Sequence, residues 1–191
     1  CELIQTKAKD NSIPYIYCNL VGAQDELIFD GQSLAYNENG QLIAQGKSFE
    51  EEIVMVDLSL NKPMNLQVVQ REEKIYNALV LGVKDYFKKT NHSEAVIGRS
   101  GGIDSSLTAS IAVDALSKEN VHGVSMPSKF SSQHSKDDAK LLSENLGVDY
   151  RTISIESIVS SFEQSLKVSY NVSESGVAEE NIQARARGSI I

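Results

Sequence analysis

Ala95-Val96-Ile97-Gly98-Arg99-Ser100-Gly101-Gly102-Ile103-Asp104-Ser105-Ser106 passes from a short apolar run, through a glycine pair, into residues with helical spacing. That order predicts a strand, a tight turn and a helix, an arrangement suited to holding phosphate. Two consecutive glycines let the backbone approach an anion with no Cβ between them and reach positive φ at little cost. The amides left unpaired at the start of the following helix, with the positive end of its dipole, attract negative charge. The serine hydroxyls add donors, and Asp104 adds a carboxylate able to hold a magnesium ion against phosphate. No lysine lies in the turn, which separates it from the P-loop pattern G-x-x-x-x-G-K-[ST]. The plainer reading is a turn that caps a helix and binds nothing, since Gly, Ser and Asp also serve there.

On either side of this turn the pattern alternates. Upstream, Ile75, Leu79, Gly82-Val83 and Tyr86-Phe87 recur at helical spacing between Gln70 and Lys89. Downstream, the spacing predicts a helix over Ser106 to Leu116, a strand over Val121 to Met126, a helix over Ser135 to Leu146 and a strand over Tyr150 to Ile153. Ser135 with Asp138 forms an N-cap pair, and Gly147 stands where a left-handed residue closes a helix. Strands alternating with helices imply right-handed crossovers and a doubly wound parallel α/β sheet, with the ligand at the carboxyl ends of the strands. The turn and the segment Met126 to Ser132 then share one rim. The serine-rich stretch Val168 to Val177 reads as a surface loop. Beyond it, Asn181 and Arg185 fall at i and i+4 on one helix face.

Residues 13 to 58 read differently, as short strands and turns. Tyr15 to Val21 is β-branched and aromatic, Leu27 to Phe29 is apolar, and Asn39-Gly40 between Leu34-Ala35-Tyr36 and Gln41-Leu42-Ile43-Ala44 signals a hairpin. Ile53 to Leu58 makes a last strand. Pro63 and its polar neighbours then break the pattern, so 59–69 reads as a linker between a first domain, 1–58, and a second, 70–191.

S-G-G-x-D-S at Ser100 to Ser105 resembles the pyrophosphatase loop of enzymes that cleave ATP to AMP and pyrophosphate. The stretches Val121 to Ser132 (VHGVSMPSKFSS) and Glu179 to Gly188 (EENIQARARG) are similar to those of bacterial NAD synthetase. Tyr17 to Gly31 (YCNLVGAQDELIFDG) resembles the late part of the nitrilase-like glutaminase fused to that synthetase. The order of blocks matches the glutamine-dependent NAD synthetase family. The resemblance implies an adenine nucleotide alpha hydrolase-like domain behind the strand-rich end of a nitrilase-like αββα domain. It implies ATP contacts at Gly98, Arg99, Ser100, Gly101, Gly102, Ile103, Asp104, Ser105, Ser106 and Met126, with Asp104 catalytic and on magnesium. It also implies deamido-NAD contacts at Asn181 and Arg185. Arg99 departs from the family, which carries a small or apolar residue there. By the same comparison the chain is cut at both ends, with the glutaminase catalytic set upstream and further ligands downstream, so the 191 residues alone are expected to be inactive.

The formal charge of −8 argues against nucleic acid or an anionic membrane as partner, since both call for a basic patch. No run approaches the roughly 20 apolar residues of a membrane span. Two cysteines, Cys1 and Cys18, make no disulfide framework, which fits a reducing cytoplasm. Cys18 reads as a small buried residue in an apolar strand, and Cys1 lacks the context of a nucleophile. His92, His122 and His134 have no metal-ligand spacing, Glu50-Glu51-Glu52 reads as surface charge, and Arg187 reads as part of a solvated helix face. The expected reaction adenylates the nicotinate carboxylate of deamido-NAD. Ammonia from glutamine then displaces AMP, and a homo-oligomer is expected. The alternatives are another ATP pyrophosphatase-loop amidotransferase such as a GMP synthetase, a tRNA-modifying enzyme, or a nucleotide-binding module without turnover.

Overall fold

The computed structural model describes residues 2–59, 62–170 and 177–191. It divides into two compact units, residues 1–91 and 92–191.

The first unit holds helix α1 (Glu2–Asn11), strands β1 (Tyr15–Tyr17), β2 (Val21–Gln24), β3 (Leu27–Asp30), β4 (Leu34–Tyr36) and β5 (Leu42–Gln45), and helix α2 (Arg71–Lys89). Strands β1, β4 and β5 pair antiparallel in that order. Ala8 of α1 packs on Leu34, Tyr36 and Leu42, with Ile4 and Tyr15 at the margin of this core. The β4–β5 hairpin turns through Asn37 to Gln41, where the Asn37 side-chain oxygen accepts from the amides of Asn39 (3.1 Å) and Gln41 (2.8 Å). Gly40 takes the positive φ of 72° that this turn needs. Strands β2 and β3 form a second hairpin, and α2 packs on it. Asp85 on α2 accepts from the Ala23 amide at 2.8 Å and pairs with Lys89 at 3.2 Å. The amide bond first, and Lys89 with it, hold the Asp85 carboxyl below the usual aspartate range against the opposing pull of burial.

Three expectations for this unit need correction. Tyr15 to Val21 is not one strand: Cys18 to Leu20 break it, and β2 pairs with β3 instead of continuing β1. Cys18 is exposed in that break, not buried. Ile53 to Leu58 forms no strand. No described strand pairs with it, and Ile53 and Met55 stay 91% and 89% exposed despite their β-branched and apolar pattern.

The second unit alternates β6 (Ala95–Gly98), α3 (Ile103–Leu116), β7 (Val121–Ser125), α4 (Gln133–Leu146), β8 (Asp149–Thr152), α5 (Glu156–Tyr170) and α6 (Val177–Ile190). The sheet is parallel in the order β6-β7-β8, with Ile97 level with Gly123 and Gly123 level with Tyr150. Side chains alternate along β7, so Val124 and Met126 share one face. There they pack with Ile155, Val159 and Ala186, and Ile182 and Ile190 of α6 complete the cluster. Val121, Gly123 and Ser125 face the other way, the side on which α3 and α4 bury Ala112, Ala115, Ala139 and Ser143.

Helix α3 begins at Ile103, ahead of the expected Ser106, because Gly102 already supplies the extended cap conformation (φ −85°, ψ 161°). Helix α4 is capped by Ser132, whose hydroxyl accepts from the Ser135 amide at 3.1 Å, and not by Ser135. Asp138 pairs with His134 at 2.9 Å instead. Gly147 closes α4 with φ 68°, as its position implied. The expected loop over Val168 to Val177 is helical at both ends, since α5 runs to Tyr170 and α6 starts at Val177; 171–176 lie outside the described residues.

Candidate functional site

A cavity of about 570 Å³ opens where β6 and β7 end. Gly98, Arg99 and Ser100 line it from the turn after β6, and Met126, Phe130 and Ser132 from the segment after β7. The two stretches expected to share a rim therefore meet. Lys136 of α4 and Arg187 of α6 complete the wall. Its charge is one-sided: three cationic residues, Arg99, Lys136 and Arg187, line it and no Asp or Glu does, in a chain of formal charge −8. Such a wall favours an anion.

The turn beside the cavity is organised by serine hydroxyls. The Ser100 hydroxyl accepts from the Gly102 amide (3.2 Å) and lies 3.2 Å from the Ser105 hydroxyl. Ser105 and Ser106 both donate to the Gly102 carbonyl, at 3.0 and 2.8 Å. The amides of Gly101, Ile103, Asp104 and Ser105 have no acceptor among the described residues. They are the donors a helix start leaves for an anion. Gly101 adopts φ 82° and abuts the backbone of Ser135. A Cβ on Gly102 would meet only the Ser100 hydroxyl, at 3.4 Å, so its outer side is open for close approach.

Asp104 lies in the first turn of α3, exposed, its carboxylate without a partner among the described residues. It does not line the cavity wall, and neither do Gly101, Gly102, Ile103, Ser105 or Ser106. No cluster of three His, Cys, Asp or Glu capable of holding a metal occurs among the described residues. A single exposed carboxylate beside a turn with free amides nevertheless fits magnesium, which takes one or two carboxylates and completes its shell with phosphate oxygens and water.

Arg99 is 3% exposed, and among the described residues none of its three guanidinium nitrogens has a hydrogen-bond partner. Burial pushes its pKa below the ordinary arginine value, with the Tyr150 hydroxyl pulling weakly the other way. Its stem crosses the sheet at Gly123, where a Cβ would come within 3.3 Å of the Arg99 Cγ.

On α6, Asn181 and Arg185 are exposed and do not line the cavity. The helix turns Gln183, Ala186 and Arg187 inward instead. Gln183 is 8% exposed and accepts from the Ser128 hydroxyl at 2.9 Å. Arg187, expected on the solvated face, donates from Nε to the Met126 carbonyl (3.2 Å) and from Nη2 to the Gln183 side-chain oxygen (3.3 Å). The apolar stripe Ile182, Ala186 and Ile190 gave no signal for this placement, because residues 185 and 187 lie symmetrically on either side of it on a helical wheel. Lys136 had no signal either; it reaches the wall because α4 begins earlier than its sequence suggested.

A parallel α/β unit with a cationic cavity at its carboxyl strand ends, beside a glycine turn with free amides, defines a nucleotide-binding class of domain. The chain belongs to the NAD synthase family, whose model matches residues 75–191; the carbon-nitrogen hydrolase model matches residues 2–63. It is 45% identical to the glutamine-dependent NAD(+) synthetase of Synechocystis sp. over 99% of its length, and 37% identical to that of Thermotoga maritima over all of it. The chain spans 35% and 39% of those relatives. Among solved structures it matches the glutamine-dependent NAD+ synthetase from Acinetobacter baumannii in complex with adenosine diphosphate. That match has a TM-score of 0.90 and 38% identity, covering 98% of this chain and 37% of that one. The NH3-dependent NAD synthetase from Campylobacter jejuni matches with TM-score 0.55 and 30% identity, covering 63% and 50%. Among the described residues no helix is long and apolar enough to cross a membrane.

Proposed function

We propose that this chain is part of an enzyme that amidates deamido-NAD to NAD at the expense of ATP, with ammonia drawn from glutamine. The observation that carries this reading is the cationic cavity beside the glycine turn, lined by no Asp or Glu and set in a sequence of the NAD synthase family. A carboxylate is a poor acceptor for ammonia. Attack of the nicotinate carboxylate oxygen on the α-phosphorus of ATP breaks the α–β bond and releases pyrophosphate. Ammonia then adds to the acyl carbon, loses a proton, and AMP leaves with the bonding electrons.

The residues divide this work by position. The amides of Gly101 and Ile103 to Ser105 hold the departing pyrophosphate in line, and Met126 and Gly98 to Ser100 seat the rest of the nucleotide. Asp104 would hold magnesium, which when bound neutralises charge on the leaving oxygens. Asn181 and Arg185, free on the outer face of α6, are assigned to deamido-NAD, with the guanidinium suited to phosphate or carboxylate. Residues 59–69 are assigned as the join between the two domains, supported by family models that end at 63 and begin at 75. A cytoplasmic setting, supported by a free Cys18 thiol, and self-association of the complete protein belong to the same proposal.

The test is Asp104→Ala in the complete enzyme, assayed for ATP-dependent NAD formation and for release of AMP and pyrophosphate. A loss of at least a hundredfold is expected; unchanged turnover removes Asp104 from the mechanism.

A further inference from the structure

We propose that Arg187 is the cavity's second anion ligand and holds the phosphoryl group that remains on AMP, apart from the pyrophosphate taken by the glycine turn. The inference rests on the nucleotide reading of the cavity. Arg187 lines that cavity from α6, whereas the glycine turn reaches it from β6. Its two protein contacts are both neutral, the Met126 carbonyl at 3.2 Å and the Gln183 side-chain oxygen at 3.3 Å. Gln183 is itself fixed, buried and bonded by the Ser128 hydroxyl at 2.9 Å. The guanidinium is therefore oriented before any ligand arrives, and no carboxylate pairs with it among the described residues.

A guanidinium has five N–H donors, and two are in use here, which leaves three for a ligand. A half-buried, oriented cation on a wall without Asp or Glu suits a phosphate better than a neutral group. The assignment to the AMP phosphoryl follows from geometry. The free amides of Gly101 and Ile103 to Ser105 are grouped at the turn, where they suffice for the two departing phosphoryls. Arg187 stands instead at the end of β7 with Met126. A role as a tether between α6 and β7 is the competing account, and it makes a different forecast for ligands.

Titration of the 191-residue chain with ADP, AMP, adenosine and inorganic pyrophosphate separates the possibilities. The wild type is expected to bind AMP at least tenfold more tightly than adenosine. Arg187→Gln keeps an amide donor for the Met126 carbonyl but carries no charge. It is expected to weaken AMP by about tenfold or more while changing pyrophosphate less than threefold. Unchanged AMP affinity, or AMP and pyrophosphate falling together, overturns the assignment and leaves the tether. Should Arg187→Gln fail to fold, phenylglyoxal modification of Arg187 in the wild type, mapped by mass spectrometry, gives the same answer. AMP must slow it and pyrophosphate must not; the reverse overturns the proposal. A wild type that binds neither ADP nor AMP defeats the nucleotide reading itself, an outcome seen before any variant is made.

Discussion

A Cβ placed on Gly101 would run into the carbonyl oxygen of Ser135 and lie 2.8 Å from its Cα. The glycine turn and the first turn of α4 thus touch through backbone alone. The obstacle is main chain and not a rotatable side chain, so nothing can swing aside. Gly102, one residue on, has no such neighbour.

Gly101→Ala should therefore destabilise the chain by at least about 2 kcal/mol, from φ strain plus displacement of α4. Gly102→Ala, at φ −85°, should leave stability within about 1 kcal/mol of wild type yet weaken ADP binding. Urea denaturation and ADP titration of both variants read the contrast; equal stability losses would refute it.

Arg99→Leu should raise stability by about 1–3 kcal/mol. It replaces a buried guanidinium that has no hydrogen-bond partner among the described residues with an apolar side chain that needs none. Chemical denaturation measures this directly, and a less stable variant would mean that the guanidinium has a partner in solution.

Asp85→Asn tests the tie between α2 and the β2–β3 hairpin. The Asp85 carboxyl is held below its ordinary value of 3.8 in the folded chain. Its contribution is therefore present above about pH 4 and is lost as pH falls through the lower folded value. The variant should be roughly 1–2 kcal/mol less stable than wild type near neutrality, with the gap closing as pH falls through that lowered value. A gap that persists in acid would assign the effect to packing instead.

Ile155 is fully buried between β7 and the last two helices. Ile155→Ala should cost about 2–5 kcal/mol, and α5 and α6 should lose amide protection first. Hydrogen exchange followed by mass spectrometry reads both parts.

The sequence announced the second unit well because its signals were local and agreed with each other. The β6 run, the glycine pair and Gly147 each fix backbone geometry without help from distant residues. The rim shared by Ser100 and Met126 followed from the general rule for parallel sheets. The first unit was harder to read. Its short strands gain meaning only from pairing partners, so Ile53 to Leu58 looked like a strand while nothing described pairs with it, and Cys18 looked buried while its strand had already ended. On α6 the i, i+4 spacing and the family resemblance drew attention to Asn181 and Arg185. Which arginine turns inward depended on contacts with Met126 and Gln183 that no local pattern announces, because residues 185 and 187 lie symmetrically about the stripe Ile182, Ala186 and Ile190.

The crossing of Arg99 over Gly123 ties two positions far apart in sequence into one unit of change. A side chain at 123 larger than hydrogen presses on the arginine stem, whereas a shorter residue at 99 opens a void that a methyl at 123 partly fills. Gly123→Ala should thus harm the native chain yet help an Arg99→Ala background. Energies at the two sites will not add, so the effect of a substitution at one depends on the residue at the other.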